Sequence, residues 1–273
     1  MISSSLTYGL NSPPGLKMLL VELIFSLSLL VSFLSGLVGI AGGIMAAPAF
    51  LYLLPLLGGT SLDMKAVAGL TMAQGLFASL SGAFRHGKAG FSNTRLVGWV
   101  APGMVTFMGF GAVLSRYLTE KLLLAIFASL ALAASISMLA PAKEVDARTE
   151  ETTFVPWKAF LLGSVIGFLG GLVGQGGGFM LVPAMIYILG IPMRTALGSN
   201  LAIVSLAALA GFLGKLFTGQ VALVPALALV AGCLPGAQLG AFLSTRTSPL
   251  IIKRLLAGII GLAAVRIWFQ VLG

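Results

Sequence analysis

Residues 171–189, GLVGQGGGFMLVPAMIYIL, repeat residues 36–54, GLVGIAGGIMAAPAFLYLL. Compared without gaps, 36–54 against 171–189, the two stretches share 11 identities at 19 positions, among them Met45 with Met180, Pro48 with Pro183 and Tyr52 with Tyr187. Self-similarity of this kind marks two halves descended from one unit. Each copy is a run of glycines within an apolar segment, closed by a proline. Glycine accepts any backbone conformation and admits close approach, while proline lacks a donor and ends or kinks a helix. Within a bilayer such an interruption is stable only where protein covers it or where it lines a watery cavity. Paired Gly/Pro-interrupted segments in matching positions of two halves point to a transport site. Close packing of helices through small residues is the structural alternative.

Composition sets the class. Of 273 residues, 58% are hydrophobic and 8% charged, and the mean hydropathy is +1.08. A soluble domain carries about 25% charged residues, so the expectation is an all-α polytopic membrane protein built from two homologous halves. The single cysteine, Cys233, excludes an intramolecular disulfide, a multi-cysteine metal site and a two-cysteine relay. Nothing in the sequence calls for a cofactor, a metal or a nucleic acid; the expected partners are the lipid bilayer and a small anion.

The order of segments follows from the apolar runs. Residues 1–17 read as a tail without the basic and apolar regions of a signal peptide. The first transmembrane repeat is placed at 18–140, a polar linker at 141–158 and the second repeat at 159–273. Within the first repeat, spans are expected from Met18 to about Leu34, from about Asp63 to Ala83, near 96–115 and near 121–140, with Arg85-His86-Gly87-Lys88 in a loop. The second repeats that order, with spans at about 159–174, 193–213, 221–243 and 250–272. The apolar runs after each glycine motif, Ile44 to Leu57 and on to Leu189, are short; runs of about 10 to 14 residues suggest broken or re-entrant segments.

If those runs are re-entrant, eight spans result and the halves run parallel. If they cross, ten result and the halves are inverted. Segment length favours eight. The distribution of Lys and Arg favours ten with both termini outside, which puts the loops after Ala83, at 141–158 and around Arg246 to Arg254 in the cytoplasm.

The charge inventory selects the substrate sign. From Ala159 to Gly273 there is no aspartate or glutamate, and before the linker there are only Glu22, Asp63 and Glu120. Carriers of protons or metal cations set carboxylates in the bundle interior, so this interior favours an anion. Helix N-termini at the glycine breaks attract negative charge. One terminus contributes at most about 2 kcal/mol, while desolvating an ion costs several, so other polar groups must help.

Those groups come from the glycine motifs and from the helix after each short run. Gly42 and Gly43 in the first copy, and Gln175, Gly176, Gly177 and Gly178 in the second, would frame the substrate. Residues 64–74 align with 193–203, matching Lys65 with Arg194 and Leu70-Thr71 with Ser199-Asn200. Thr71 and Gln74 lie three apart and share a helix face; Ser199 and Asn200 bring polar groups to the equivalent turn. Lys65 and Arg194 either attract the anion or snorkel to the interface. His86, the only histidine, is a candidate proton carrier or a solvated loop residue. Lys215, before Gly219-Gln220, is placed near a helix end.

The duplicated GLVGxxGGxMxxP blocks, Ala196-Leu197-Gly198-Ser199-Asn200 and the segment Gly232-Cys233-Leu234-Pro235-Gly236-Ala237-Gln238-Leu239-Gly240 together resemble the TauE/SafE group of anion permeases, often called sulfite exporters. The resemblance covers nearly the whole chain. It implies a bacterial inner-membrane carrier exporting sulfite, sulfoacetate or a related organosulfur anion, working by alternating access. The first copy has Ile40-Ala41 where the second has Gln175-Gly176, so the halves differ as ligands. A carrier for a carboxylate or a metal cation is the second reading. An intramembrane enzyme is disfavoured by the lack of HExxH and GxSxG motifs.

Overall fold

The computed structural model describes residues 14–38, 43–86, 93–139, 154–175, 177–244 and 249–272. These form helices throughout. In chain order they are α1 (Pro14–Val38), α2 (Gly43–Pro48 continuing through Ala49–Leu53 to Leu54–Leu56), α3 (Met64–His86), α4 (Thr94–Leu114), α5 (Glu120–Leu139), α6 (Pro156–Val173), α7 (Gly178–Leu189), α8 (Met193–Phe217), α9 (Leu223–Ser244) and α10 (Pro249–Leu272). Six of them are long and apolar enough to cross a membrane: α1, α4, α5, α6, α8 and α9.

A helix covers each expected span, with ends shifted by up to four residues. α3 runs on through Arg85 and His86, which sequence reading put in a loop, because a helix does not stop where its apolar stretch stops. α6 begins at Pro156, inside the expected linker; proline suits a first helical turn, where its missing N–H has no partner to lose. Residues 1–13 of the tail and 141–153 of the linker lie outside the described residues. α2 widens after Pro48 into a π-helical turn in which the Leu54 N–H reaches back five residues to the Ala49 carbonyl.

Glycines facing backbones fix the helix directions. A methyl built on Gly232, Gly236 or Gly240 of α9 would strike the α1 backbone at Phe25, Leu29 and Phe33 respectively. Both series ascend, so α1 and α9 run parallel. Gly163, Gly167 and Gly171 of α6 likewise meet Val100, Met104 and Met108 of α4, a second parallel pair. Asn93 bonds Ser199 and Gly214 meets Ala112, so α4 and α8 are parallel too. Gly211 meets Met72 while Gly69 meets Gln220, so α3 and α8 are opposed. Gly69 also faces Val221 and the Gln74 carbonyl faces Cys233, which sets α3 parallel to α9.

α1, α3 and α9 therefore point one way and α4, α6 and α8 the other. Because α1 and α3 agree in direction, α2 returns the chain between them. The helices α1 and α6 oppose one another, as do α3 and α8, and α4 and α9. The short runs, Ile44–Leu56 and Gly178–Leu189, form apolar helices shorter than the six candidate spans.

The helix pairing crosses between halves. The closest pairs are α1 with α9, α4 with α6, α4 with α8, α5 with α10 and α3 with α8. Exchanging α1 to α5 for α6 to α10 turns the α1/α9 pair into α6/α4 and leaves α3/α8 and α5/α10 unchanged. One apolar core lies mainly among α1, α2, α3, α5, α9 and α10, the other mainly among α4, α6, α7 and α8.

Two carboxylates close the N-terminus of α3. Asp63 Oδ1 accepts from the Ala66 N–H at 2.8 Å, and Glu120 Oε1 from the Met64 N–H at 3.0 Å. Asp63→Ala is expected to lower stability by about 1 kcal/mol, the usual loss for an N-cap. Thermal unfolding in detergent measures it, and an unchanged midpoint would show that the cap contributes nothing.

Candidate functional site

The break between α6 and α7 is built by two glycines in the left-handed region, Gly174 at φ 78° and Gly177 at φ 67°. Gly174 ends α6, with its N–H on the Gly170 carbonyl at 2.9 Å; the Gln175 N–H bonds that same carbonyl at 3.1 Å. Gly177 opens α7, and no side chain caps the new N-terminus. A side chain at Gly174 has no room, since a Cβ there would overlap the Ala68 backbone of α3. The Thr71 hydroxyl lies 2.9 Å from the Gly174 carbonyl and 2.9 Å from the Val67 carbonyl of its own helix. The second-half break is thus seated on a first-half helix.

Beside it lies buried polarity without partners. Gln175 is 2% exposed, and among the described residues neither its Oε1 nor its Nε2 has a hydrogen-bond partner. Because both ends are open, the result is the same whichever way the amide is turned. Gln74, fully buried one turn beyond Thr71, donates through Nε2 to Ser32 Oγ of α1 at 2.8 Å and leaves Oε1 open. An unmet buried polar group costs about 1–3 kcal/mol, and three such atoms in one region call for a ligand or ordered water.

Ser199 and Asn200 stand apart from this group. Ser199 Oγ accepts from the Asn93 N–H at 3.1 Å, at the start of α4, and Asn200 Oδ1 is open. Gly211, eleven residues further along α8, faces Met72 beside Thr71. At 1.5 Å per residue, Asn200 lies about 16 Å along the helix from that level. Thr71, seated on Gly174, thus lies at a different level of the bundle from Ser199 and Asn200, while Gly177 faces Met104 and Ile166, about midway along α4 and α6.

Of the other candidates, Lys65 is half-buried and donates to the Arg116 carbonyl at 2.8 Å. Gly43 starts α2. Gly42 and Gly176 lie outside the described residues, as do the side chains of Arg194 and His86; their backbones fall at the start of α8 and the end of α3. Sequence reading missed Ser32, Ser115 and Gln220 as buried polar groups, and gave Lys215 only a place near a helix end. The signal for Lys215 was a lone cation inside an apolar run.

The described residues hold no cluster of three or more His, Cys, Asp or Glu that would bind a metal. What the break can do chemically is present an uncapped helix N-terminus and an open amide to something small.

The family model for "Sulfite exporter TauE/SafE" matches residues 24–267. Among curated proteins, a probable membrane transporter protein of Haemophilus influenzae is 30% identical over 172 residues, 63% of this chain and 64% of that protein. Probable membrane transporter protein MJ0441 of Methanocaldococcus jannaschii is 24% identical over 257 residues, 89% of this chain and 94% of that one. Probable membrane transporter protein YunE of Bacillus subtilis is 38% identical over 93 residues, 33% of this chain and 34% of YunE. The chain thus aligns with about a third of YunE and just under two thirds of the Haemophilus protein. No solved structure matches. With the family match running through nearly every helix just described, six of them long and apolar enough to cross a membrane, the chain belongs to the sulfite exporter TauE/SafE family.

Proposed function

We propose that this transporter exports a small sulfur-containing anion, sulfite or an organosulfonate such as sulfoacetate, across a bacterial inner membrane. The observation that carries this reading is Gln175: a buried amide with both ends open, on the loop that leads into an uncapped helix N-terminus. A singly protonated sulfur oxyanion presents complementary groups. Its oxygens accept from Gln175 Nε2 and from the first N–H groups of α7; its hydroxyl donates to an amide oxygen. Carboxylates, which would repel it, do not occur between Ala159 and Gly273.

Residues 18–140 and 159–273 act, in this reading, as inverted repeats. The self-matching helix pairs support that division, and they also shape the mechanism. Because α1 pairs with α9 and α4 with α6, the halves cannot rock as separate bodies. Alternating access instead moves α4, α6, α7 and α8 against the bundle containing α1, α2, α3 and α9. The membrane potential, negative inside, drives an anion outward by about 2.3 kcal/mol per charge per 100 mV, so export needs no coupling ion.

Gln175→Leu is expected to weaken sulfite binding about tenfold, the value of about 1.4 kcal/mol expected for one lost hydrogen bond. Titration calorimetry of purified protein with sulfite, sulfoacetate, acetate and zinc at one ionic strength provides the test. Sulfur anions must bind in preference to acetate and zinc, and wild-type affinity in Gln175→Leu would remove that residue from the site.

A further inference from the structure

Lys215 is the only charged side chain among the described residues that is fully buried. It lies in the last turn of α8. Its Nζ donates to Ser115 Oγ at 2.6 Å, to Gln220 Oε1 at 3.1 Å and to the Leu172 carbonyl at 3.3 Å. All three acceptors are neutral. Its charged surroundings are of its own sign: Lys65 acts on it as a like charge, and Arg116 next to Ser115 bonds the Thr218 carbonyl. The carboxylates of this end, Asp63 and Glu120, accept from the backbone at Ala66 and Met64.

Capping of helix C-termini is the plain structural account, since cations favour those carbonyls. It does not explain burial. Lys65 and Arg116 cap the neighbouring carbonyls of Arg116 and Thr218 without being buried. A cap at the rim does that work without removing an ammonium from water, and a buried charge without an opposite charge is unfavourable unless something later matches it. The position is also telling. Leu172 belongs to the last turn of α6, and two residues later Gly174 opens the break that carries the open Gln175 amide.

We propose that Lys215 is the counter-charge for the transported anion, its ammonium held on helix-terminal carbonyls and exchanging the Leu172 carbonyl for a substrate oxygen at the break. Leu172 is the partner to release, because its contact is the longest of the three. This inference rests on the anion reading above and assigns its charge-sensing residue. A basic group and an amide at the same break select for negative charge and for hydrogen-bonding shape separately.

The test is sulfite and acetate calorimetry on wild type, Lys215→Met and Lys215→Arg, together with the thermal shift each anion produces. Lys215→Met is expected to lose about tenfold to hundredfold in anion affinity, the range for a charged donor, and to lose the thermal shift, while its ligand-free midpoint holds. Lys215→Arg is expected to restore part of both. Undiminished anion binding by Lys215→Met overturns the counter-charge. If Lys215→Met does not fold, Ser115→Ala decides: freeing one ammonium hydrogen should tighten anion binding, and equal or weaker binding overturns the proposal. Wild type binding acetate but not sulfite, with the same dependence on Lys215, would remove the sulfur reading and keep the counter-charge; no binding of either anion would remove both.

Discussion

Gly174→Ala is expected to lower stability by about 2 to 5 kcal/mol and to abolish transport. Two effects add. A left-handed conformation costs a residue with a Cβ about 1–2 kcal/mol, and inserting a methyl into closed packing costs about 1–3 kcal/mol more. At Gly174 the methyl would overlap the Ala68 backbone, and backbone cannot turn aside as a flexible side chain can. The Thr71 bond to the Gly174 carbonyl would go with it. Gly190→Ala isolates the first effect, since Gly190 has φ 68° with nothing within 4 Å of an added Cβ. Thermal unfolding of both variants in the same detergent measures the difference. Equal losses would mean that the seat of the break on α3 contributes nothing.

Gly111→Ala and Gly240→Ala are each expected to cost about 1–3 kcal/mol, in equal measure. Gly111 of α4 lies over the Phe168 carbonyl of α6, and Gly240 of α9 over the Phe33 carbonyl of α1. The positions are equivalent: 240 minus 111 is 129, the offset that aligns Met193 with Met64, and 168 minus 33 is 135, the offset that aligns Gly171 with Gly36. A methyl at either place pushes two backbones apart along a seam made of glycine. Gly98→Ala serves as control, because nothing lies within 4 Å of its added Cβ. The sites share no partners, so the double variant should lose the sum. A large loss at one site and none at the other would show that the two seams are not counterparts.

The helices were readable because apolar runs bounded by Gly, Pro and charge report local structure. The break was readable for the same reason: Gly174 and Gly177, which build it, stand in a run rich in glycine. Helix ends were less so, as the continuation of α3 through Arg85 and His86 shows, since a helix can carry polar residues beyond its apolar part. Direction was ambiguous on length and charge alone. It became plain from which glycine meets which carbonyl, a relation that joins residues as distant as Phe25 and Gly232. The same limit hid the spread of the predicted polar residues. Thr71 and Asn200 are matched by alignment, but only the opposed crossing of α3 and α8 puts them at different levels. The acceptors of Lys215 come from α4, α6 and the turn after α8, so no spacing in the chain announces them.

The pairing of α1 with α9 also has a consequence in time. Ser28 bonds the Leu229 carbonyl, 201 residues further along the chain. At ordinary rates of translation, roughly 5–20 residues per second, the ribosome needs roughly 10 to 40 s to deliver α9 after α1. During that interval the face of α1 that will receive three glycines is without its partner helix. α4 waits for less, since α6 follows it directly after α5. The α4/α6 pair can therefore close before α9 is delivered to α1.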